Sequence, residues 1–395
     1  MHCIASLAVG GVETRVLDTL DYFKTHGGRH EHVLCAFRGG EMEGSRLARL
    51  RAAGFDCHVL RRASRFGSTF RRALRETVDR IRPDVIHAYN PTAGLWTRWC
   101  LGRRRGLRIL IHCGGVAGSG RLWPTIERVL QRRTAMYLFN SESTRRVWET
   151  YFDIKAAARV VYNGVNISDP PTMDGAAALP ESPFVLLTVC RVVPIKSLAT
   201  QIQAVKILKD RGQADVRLIV VGDGPWRSRV EAEARRLGVD RAVSFEGYQP
   251  HPREYYGRSH VYVSTSYNET FGLTLADAMW HRSICIAASA GGPAEIIEDG
   301  KSGFLMPCTE PVPEDLRRGL PRGQALPAVV YDHGLGTLRP PLGVSPAALA
   351  DRIADVRSRM GELGAMREAA RERIASQFGM DRYCRALDDV YDELR

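Results

Sequence analysis

The chain has 395 residues, 44% of them hydrophobic and 25% charged, with a formal net charge of +12. That length exceeds one ordinary domain and suits two of roughly 150–200 residues. No stretch approaches the ~18 consecutive apolar residues of a membrane span, and no basic segment leading into an apolar run marks a secretion signal.

Nine cysteines are scattered without a C-x-x-C pair. They predict reduced, buried thiols in a cytoplasmic protein rather than a disulfide frame or a zinc site. Charge is unevenly placed. Residues 1–165 carry 28 Lys and Arg against 14 Asp and Glu, and the remainder carries 28 against 30. A solvated Arg-rich surface would give this count, and so would a first half that meets an anionic acceptor or the inner face of a membrane as a peripheral protein. Nucleic acid is not expected, because "RRASRFGSTFRRALR" has the spacing of an exposed helix without interleaved aromatics.

In chain order, short β-branched runs alternate with amphipathic helical stretches, which predicts parallel sheets with crossover helices. The first half offers strands "HCIASL", "EHVLCAF", "DCHVL", "DVIHAY", "LRILIHC" and "AMYLFNS". Helical patterns at about 12–26, 43–53, 68–81, 92–101, 122–133 and 142–150 separate them. Residues 166–183, rich in Pro, Gly, Asp and Ser, read as a linker. A second series follows: "FVLLTVCR", helix 197–211, "VRLIVVGDG", helix 225–237, "AVSFEGY", "VYVSTS", helix 271–281 and "SICIAAS". The Pro- and Gly-rich segment 308–345 lacks periodicity and predicts a long inserted loop. The last helix has an apolar stripe through Tyr383, Leu387, Val390, Tyr391 and Leu394 that must be buried.

Two doubly wound domains facing across a cleft are the simplest account, with ligands beyond the carboxyl ends of the strands. Arg191 ends a strand and Lys196 follows before a new helix, a planar fork and a point charge suited to a diphosphate. Gly222 and Gly224 sit in a strand–turn–helix start, but Arg227 stands where a dinucleotide fingerprint has its third glycine. Gly291-Gly292 precede a helical start carrying Glu295. Gly10 and Gly11 lie between the first strand and the first helix, where backbone amides could face a phosphate. His112 ends a strand. Such a residue is more often a satisfied surface side chain, but the carboxyl edge of a sheet raises its interest. "ETFGLTLAD" places Glu269 and Asp277 at the two ends of a helix start, at most ~12 Å apart along a helix.

Together "GGVET", "DVIHAYN", the strand ending in His112, "FNSEST", "VYNGVN", "RVVPIKS", "VVGDGP", the Glu269–Asp277 element, "AGGPAEII" and "GKSGFL" resemble family four of the retaining nucleotide-sugar glycosyltransferases. These have the GT-B fold of two Rossmann-like domains, and the resemblance covers nearly the whole chain. It implies an acceptor-binding domain at 1–168, with the helix at about 379–395 packing back onto it. It also implies a nucleotide-sugar domain at 169–378 carrying the 308–345 insert. By resemblance Glu269 touches the donor sugar and the backbone at Phe271, Gly272 and Leu273 holds sugar and phosphate. Asp277 reaches the ribose, Arg191 and Lys196 grip the diphosphate, and His112 contacts the sugar near the reacting carbon.

Some positions depart from the family pattern. Asp277 is one methylene shorter than the usual Glu, Ser197 replaces a usual Gly or Asn, and Trp280-His281-Arg282 replace a small turn, reshaping a surface loop. No D-x-D occurs, so a metal-free reaction without a cofactor is expected, and the resemblance implies a nucleotide-sugar donor with UDP as its carrier. The resemblance also implies that the leaving phosphate itself helps deprotonate a glycan, lipid-linked or small-molecule acceptor. A sugar-nucleotide epimerase on the same fold and a non-catalytic sugar-nucleotide-binding relic are the alternatives. The epimerase would need an acid/base set that the first domain does not offer.

Overall fold

A computed structural model of the chain describes residues 1–7, 11–39, 46–60, 68–102, 104–114, 123–167, 181–317, 320 and 326–395. The chain divides into two compact units, Met1–Gly164 with Met380–Arg395, and Val165–Gly379. The sequence reading places the same two divisions at 168 and 378.

The first unit contains β1 (His2–Ile4), α1 (Gly11–His26), β2 (Val33–Ala36), α2 (Arg46–Ala52), β3 (Asp56–Val59) and α3 (Ser68–Ile81). It continues through β4 (Val85–Tyr89), α4 (Asn90–Leu101), β5 (Arg108–Cys113), α5 (Trp123–Leu130), β6 (Met136–Phe139), α6 (Glu142–Tyr151) and β7 (Ala158–Val160). Its seven strands lie in the order β3-β2-β1-β4-β5-β6-β7, all parallel. Strand alternation gives the sheet two faces. Ile86, Ala88, Ile109, Ile111, Tyr137 and Phe139 join the core that includes Phe70, Leu74 and Trp148. Leu110, Met136 and Leu138 pack with Tyr383, Leu387 and Val390 from the C-terminal helix.

The second unit runs β8 (Phe184–Val189), α7 (Leu198–Asp210), β9 (Val216–Val221), α8 (Arg227–Arg236), β10 (Val243–Gly247) and α9 (Arg253–Tyr256). Next come β11 (Val261–Ser264), α10 (Leu273–Trp280), β12 (Ile284–Ala288), α11 (Pro293–Ile296) and β13 (Phe304–Met306). Six parallel strands are ordered β10-β9-β8-β11-β12-β13. The central strands are apolar on both faces because helices cover both, as parallel sheets require.

The insert is not the structureless loop that its composition predicts. It forms β14 (Cys308–Pro311), α12 (Glu314–Arg317), β15 (Val330–Asp332), β16 (Thr337–Arg339) and β17 (Leu342–Val344), with β14–β17 and β15–β16 paired antiparallel. Three- and four-residue strands are too short for a period of two to register in the sequence. The helices α13 (Pro346–Ser358) and α14 (Gly364–Phe378) close this unit, α13 against α7 and α14 against α10. Then α15 (Met380–Leu394) packs against α1 of the first unit. It buries Tyr383, Leu387, Val390 and Tyr391, while Leu394 is half-buried. Among the described residues no helix is long and apolar enough to cross a membrane.

Candidate active site

In the second unit the strand order reverses between β8 and β11, so the segments that leave their carboxyl ends diverge and open a hollow. After β8 the chain makes a 3₁₀ turn over Pro194–Lys196 and enters α7. After β11 it runs through Tyr267 and Glu269 into α10. Backbone and buried side chains tie the two together. Tyr267 N donates to Ile195 O at 2.9 Å, Thr265 Oγ1 donates to Ser197 O at 3.0 Å, and Gln201 Nε2 donates to Thr265 Oγ1 at 3.0 Å.

This stitching brings Lys196 and Glu269 into an ion pair, each side chain about a fifth exposed (22% and 21%). Burial works against the Lys196 charge, but the adjacent Glu269 carboxylate outweighs it and holds the ammonium pKa above its usual value. Thr188, Cys190, Gln201, Thr265 and Thr274 line the same hollow. Burial pushes the Cys190 thiol up to about 11, so it stays protonated there. Arg191 is exposed beside this pair and is one of the charges acting on Lys196.

The glycine pairs serve the backbone. A Cβ at Gly222 would collide with the Cys190 carbonyl, and one at Gly224 with that of Val192. Gly222 and Gly224 therefore let the β9 turn lie on the segment that carries Arg191, with Val192 N donating to Asp223 O at 2.9 Å. Gly291 and Gly292 do the same under Glu269 and Phe271. Gly292 N donates to Glu269 O at 2.7 Å and Glu269 N to Ala290 O at 3.3 Å, which clamps the acid's backbone. Gly272 caps α10 in the left-handed region at φ 108°, and Leu273 begins that helix. The Phe271 ring is buried against Phe378, with ring centroids 5.8 Å apart. Asp277 sits half-buried on α10, near enough to Tyr256 to help raise the phenol's pKa, after burial itself.

In the first unit Gly11 is exposed at the first position of α1. Gly10 lies outside the described residues. His112 is not a surface residue. It is 3% exposed, and its Nδ1 lies 3.1 Å from His87 Nε2. Burial, then the Arg15 charge, lowers its pKa to about 4. The sequence reading gave no role to His87, although "DVIHAYN" was one of its motifs. The alternation of β4 and β5 is the signal that could have found it, because it places His87, Tyr89, Leu110 and His112 on one face.

Two family descriptions match the chain: "Glycosyltransferase Family 4" over residues 9–169 and "Glycosyl transferases group 1" over residues 171–320. The chain belongs to the group 1, family 4 glycosyltransferases. It is similar to the D-inositol 3-phosphate glycosyltransferase of Streptomyces bingchenggensis, 34% identical over 194 residues, which are 45% of this chain and 42% of that relative. The matched stretch thus spans less than half the length of that relative. Among solved structures it is similar to Anabaena HepE in complex with UDP-glucose, 18% identical, with both chains covered fully and a TM-score of 0.75. Sucrose-phosphate synthase from Thermosynechococcus elongatus is 17% identical, covering 100% of this chain and 99% of its own, with a TM-score of 0.76. Both share the GT-B fold of paired Rossmann-like units.

In this chain the departures from the family pattern acquire physical reasons. Ser197 adopts left-handed φ 49°, ψ 42°, the region that Gly and Asn favour, and its hydroxyl lies 2.9 Å from Thr200 Oγ1. Arg282 likewise has φ 60° where a small turn is usual. Trp280 and His281 do not reshape a surface loop. They are 6% and 4% exposed, Trp280 lies under the Arg371 guanidinium, and Arg282 pairs with Glu368 at 2.8 Å. That turn is built to dock α14, and its bulk is core.

Proposed function

We propose that this glycosyltransferase moves a hexosyl group from a nucleoside diphosphate sugar to an acceptor hydroxyl with retention of anomeric configuration, without a metal or other cofactor. The observation that carries the reading is the Lys196–Glu269 pair at the reversal point of the second sheet, with Arg191 beside it. A cation and an acid that neutralise each other can part to a diphosphate and a sugar hydroxyl. Lys196 then exchanges one anion for another, and Glu269 exchanges its cation for a hydrogen bond from the donor. Arg191, Lys196 and the amide end of α10 would stabilise charge as it grows on the leaving phosphate. Asp277 on that helix suits the ribose diol, through water if its shorter side chain falls short. His112 is the proposed sugar contact from the first unit.

UDP is the proposed carrier, supported by the family resemblance and by the UDP-glucose complex of the HepE neighbour. The acceptor class is a glycan, a lipid-linked glycan or a phosphorylated small molecule. Two observations favour an anionic acceptor or membrane surface for the first unit. It carries the whole positive balance of the chain, and Trp99, Ile126 and Val129 are exposed on α4 and α5 (59%, 37% and 65%). Of the densest basic run, Arg71 and Arg72 are exposed on α3, while Arg61, Arg62 and Arg65 lie outside the described residues. Incubation with UDP-, GDP-, ADP- and dTDP-sugars, reading nucleotide release with and without EDTA, tests the donor and the metal-free reaction together. Activity lost in EDTA and restored by Mn²⁺ would refute the second.

A further inference from the structure

The first unit buries three imidazoles, His2, His87 and His112, on one face of its sheet, with the half-buried His32 beside them, which is an uncommon load of polar groups. Strand register explains the gathering. His2 is the cross-strand neighbour of His87, and Tyr89 that of His112, all on the face that α15 covers. His2 and His32 form their own branch, His2 Nε2 lying 2.9 Å from His32 Nδ1 and His2 Nδ1 3.1 Å from the Tyr89 hydroxyl. The Tyr89 ring stacks on His87 at 4.0 Å and fixes its plane.

A second branch runs to His112. The hydroxyl of Tyr391, on α15, lies 2.7 Å from His87 Nδ1, and His87 Nε2 lies 3.1 Å from His112 Nδ1. The two imidazole planes are within 7° of each other. A buried phenol has one proton and needs an acceptor for it, and a ring nitrogen at 2.7 Å is a good one. A neutral His87 that accepts at Nδ1 must hold its own proton on Nε2, and there it can only donate. The neighbouring Nδ1 of His112 must then be bare. Burial favours the neutral form of both rings, lowering the pKa of His87 well below the usual histidine range, with the charges of His112, His2, His32 and the N-terminus adding to it. Arg15, from α1, acts in the same sense on His112.

We propose that Tyr391 and His87 are positioning residues for His112: the relay Tyr391 O–H to His87 Nδ1, His87 Nε2–H to His112 Nδ1, fixes His112 as the neutral tautomer with its proton on Nε2. His112 then acts as a hydrogen-bond donor and not as a general base. This rests on the reading of His112 as the sugar contact. It makes the last helix of the chain part of what prepares that contact, some 280 residues away along the sequence (His112 to Tyr391).

The test is ¹⁵N-imidazole NMR of the full chain at pH 7, with the His112 signals identified by their loss in His112→Gln. The wild type is expected to show a protonated Nε2 and a bare Nδ1. Tyr391→Phe is expected to mix the tautomers and to lower kcat roughly tenfold, about one hydrogen bond, while donor KM changes by less than about twofold. Tyr22→Phe is the control. It removes a hydroxyl that donates to Asp381, at the exposed start of the same helix, at 2.7 Å, and both readouts should stay unchanged. A wild-type proton on Nδ1, an imidazolium, or a Tyr391→Phe tautomer identical to wild type would overturn the relay. Should Tyr391→Phe not fold, the wild-type spectrum still decides. If the tautomer is as expected but His112→Ala leaves transfer unchanged, the relay stands and the sugar-contact reading falls.

Discussion

The Arg98–Glu127 pair of the first unit and the Lys196–Glu269 pair of the second are both close and shielded from solvent, and the two are built differently. In the first unit Arg98 meets Glu127 at 2.5 Å with both side chains fully buried. Each guanidinium nitrogen has a partner. Nε donates to Gly94 O at 3.0 Å, Nη1 also reaches Thr134 Oγ1 and Tyr137 OH at 3.0 Å, and Nη2 reaches the second Glu127 oxygen at 3.0 Å. In the second unit Lys196 meets Glu269 with a fifth of each side chain exposed and a polar hollow beside them. The first pair is satisfied by protein and closed to anything else. Among the described residues the second is satisfied only by itself, and it is open on one side. A buried charge pair signals a binding site when its environment is incomplete, not merely when it is buried.

The sharpest way to break that comparison is to remove one acid from each. Glu127→Ala leaves Arg98 uncompensated and is expected to destabilise the first unit by roughly 3–5 kcal/mol. Hydrogen exchange of the β5 and β6 amides would read this without requiring the whole chain to unfold in one step. Glu269→Ala should leave exchange in β8 and β11 within about 0.5 kcal/mol of wild type while transfer falls by at least ~100-fold. Near-normal turnover at saturating donor would remove Glu269 from the site.

Next in size, Arg191→Ala should lower kcat about tenfold as well as weaken donor binding, because the charge it meets grows as the glycosidic bond breaks. A rise in KM alone would mean that it grips only the ground state.

A slower lever is pH. The half-buried His32 and the buried His112 have pKa values lowered to about 4, so between about pH 6.5 and 4 the unfolded chain binds protons that the folded chain does not. Stability of the first unit should therefore fall as pH drops through that window, by up to ~1.4 kcal/mol per pH unit for each histidine. In the second unit Asp215 and Glu233 have lowered pKa values, each chiefly through a hydrogen bond from an arginine, Arg357 and Arg236. Their contribution is present above the usual carboxylate range and is lost only as pH falls through it. Exchange measured at pH 7 and pH 5 should thus loosen β4 and β5 before β8 and β9. Equal loosening of both would contradict the histidine account.

The smallest effect expected is electrostatic steering. Acceptor KM should rise with salt as exposed charges are screened beyond ~10 Å at 0.1 M, and Arg71→Glu with Arg72→Glu should reproduce part of that rise. An acceptor KM indifferent to both would mean that the basic count is only a solvated surface.

Most of the architecture was legible because helices of ten residues or more and buried strands of four to six carry a strong period. The α3 helix, Ser68–Ile81, was predicted to the residue. Strands of three or four residues carry little of it, so β7, β13 and the two antiparallel pairs of the insert went unread, although β1 was found. Lys196 and Glu269 were legible because charged residues just beyond apolar runs have few structural reasons to be there. Gly222, Gly224, Gly291 and Gly292 were legible as turns before helix starts, but their nearest neighbours, backbone atoms of the chain itself, were not, because that contact depends on which turns meet. The Tyr391–His87–His112 chain was beyond reach, since it joins three distant segments through a register that only the folded sheet displays.

The most direct test of the donor site is a thermal-shift titration of the full chain with UDP-glucose, GDP-glucose, ADP-glucose and dTDP-glucose, run in parallel on Lys196→Ala. Binding to the folded form at a hundredfold excess over Kd stabilises by about 2.7 kcal/mol. One nucleotide sugar, expected to be the UDP form, should raise the melting point of the wild type and do so much less for Lys196→Ala. A shift of equal size in both proteins, or none with any nucleotide sugar, would contradict the assignment of Lys196 and Glu269 to the donor.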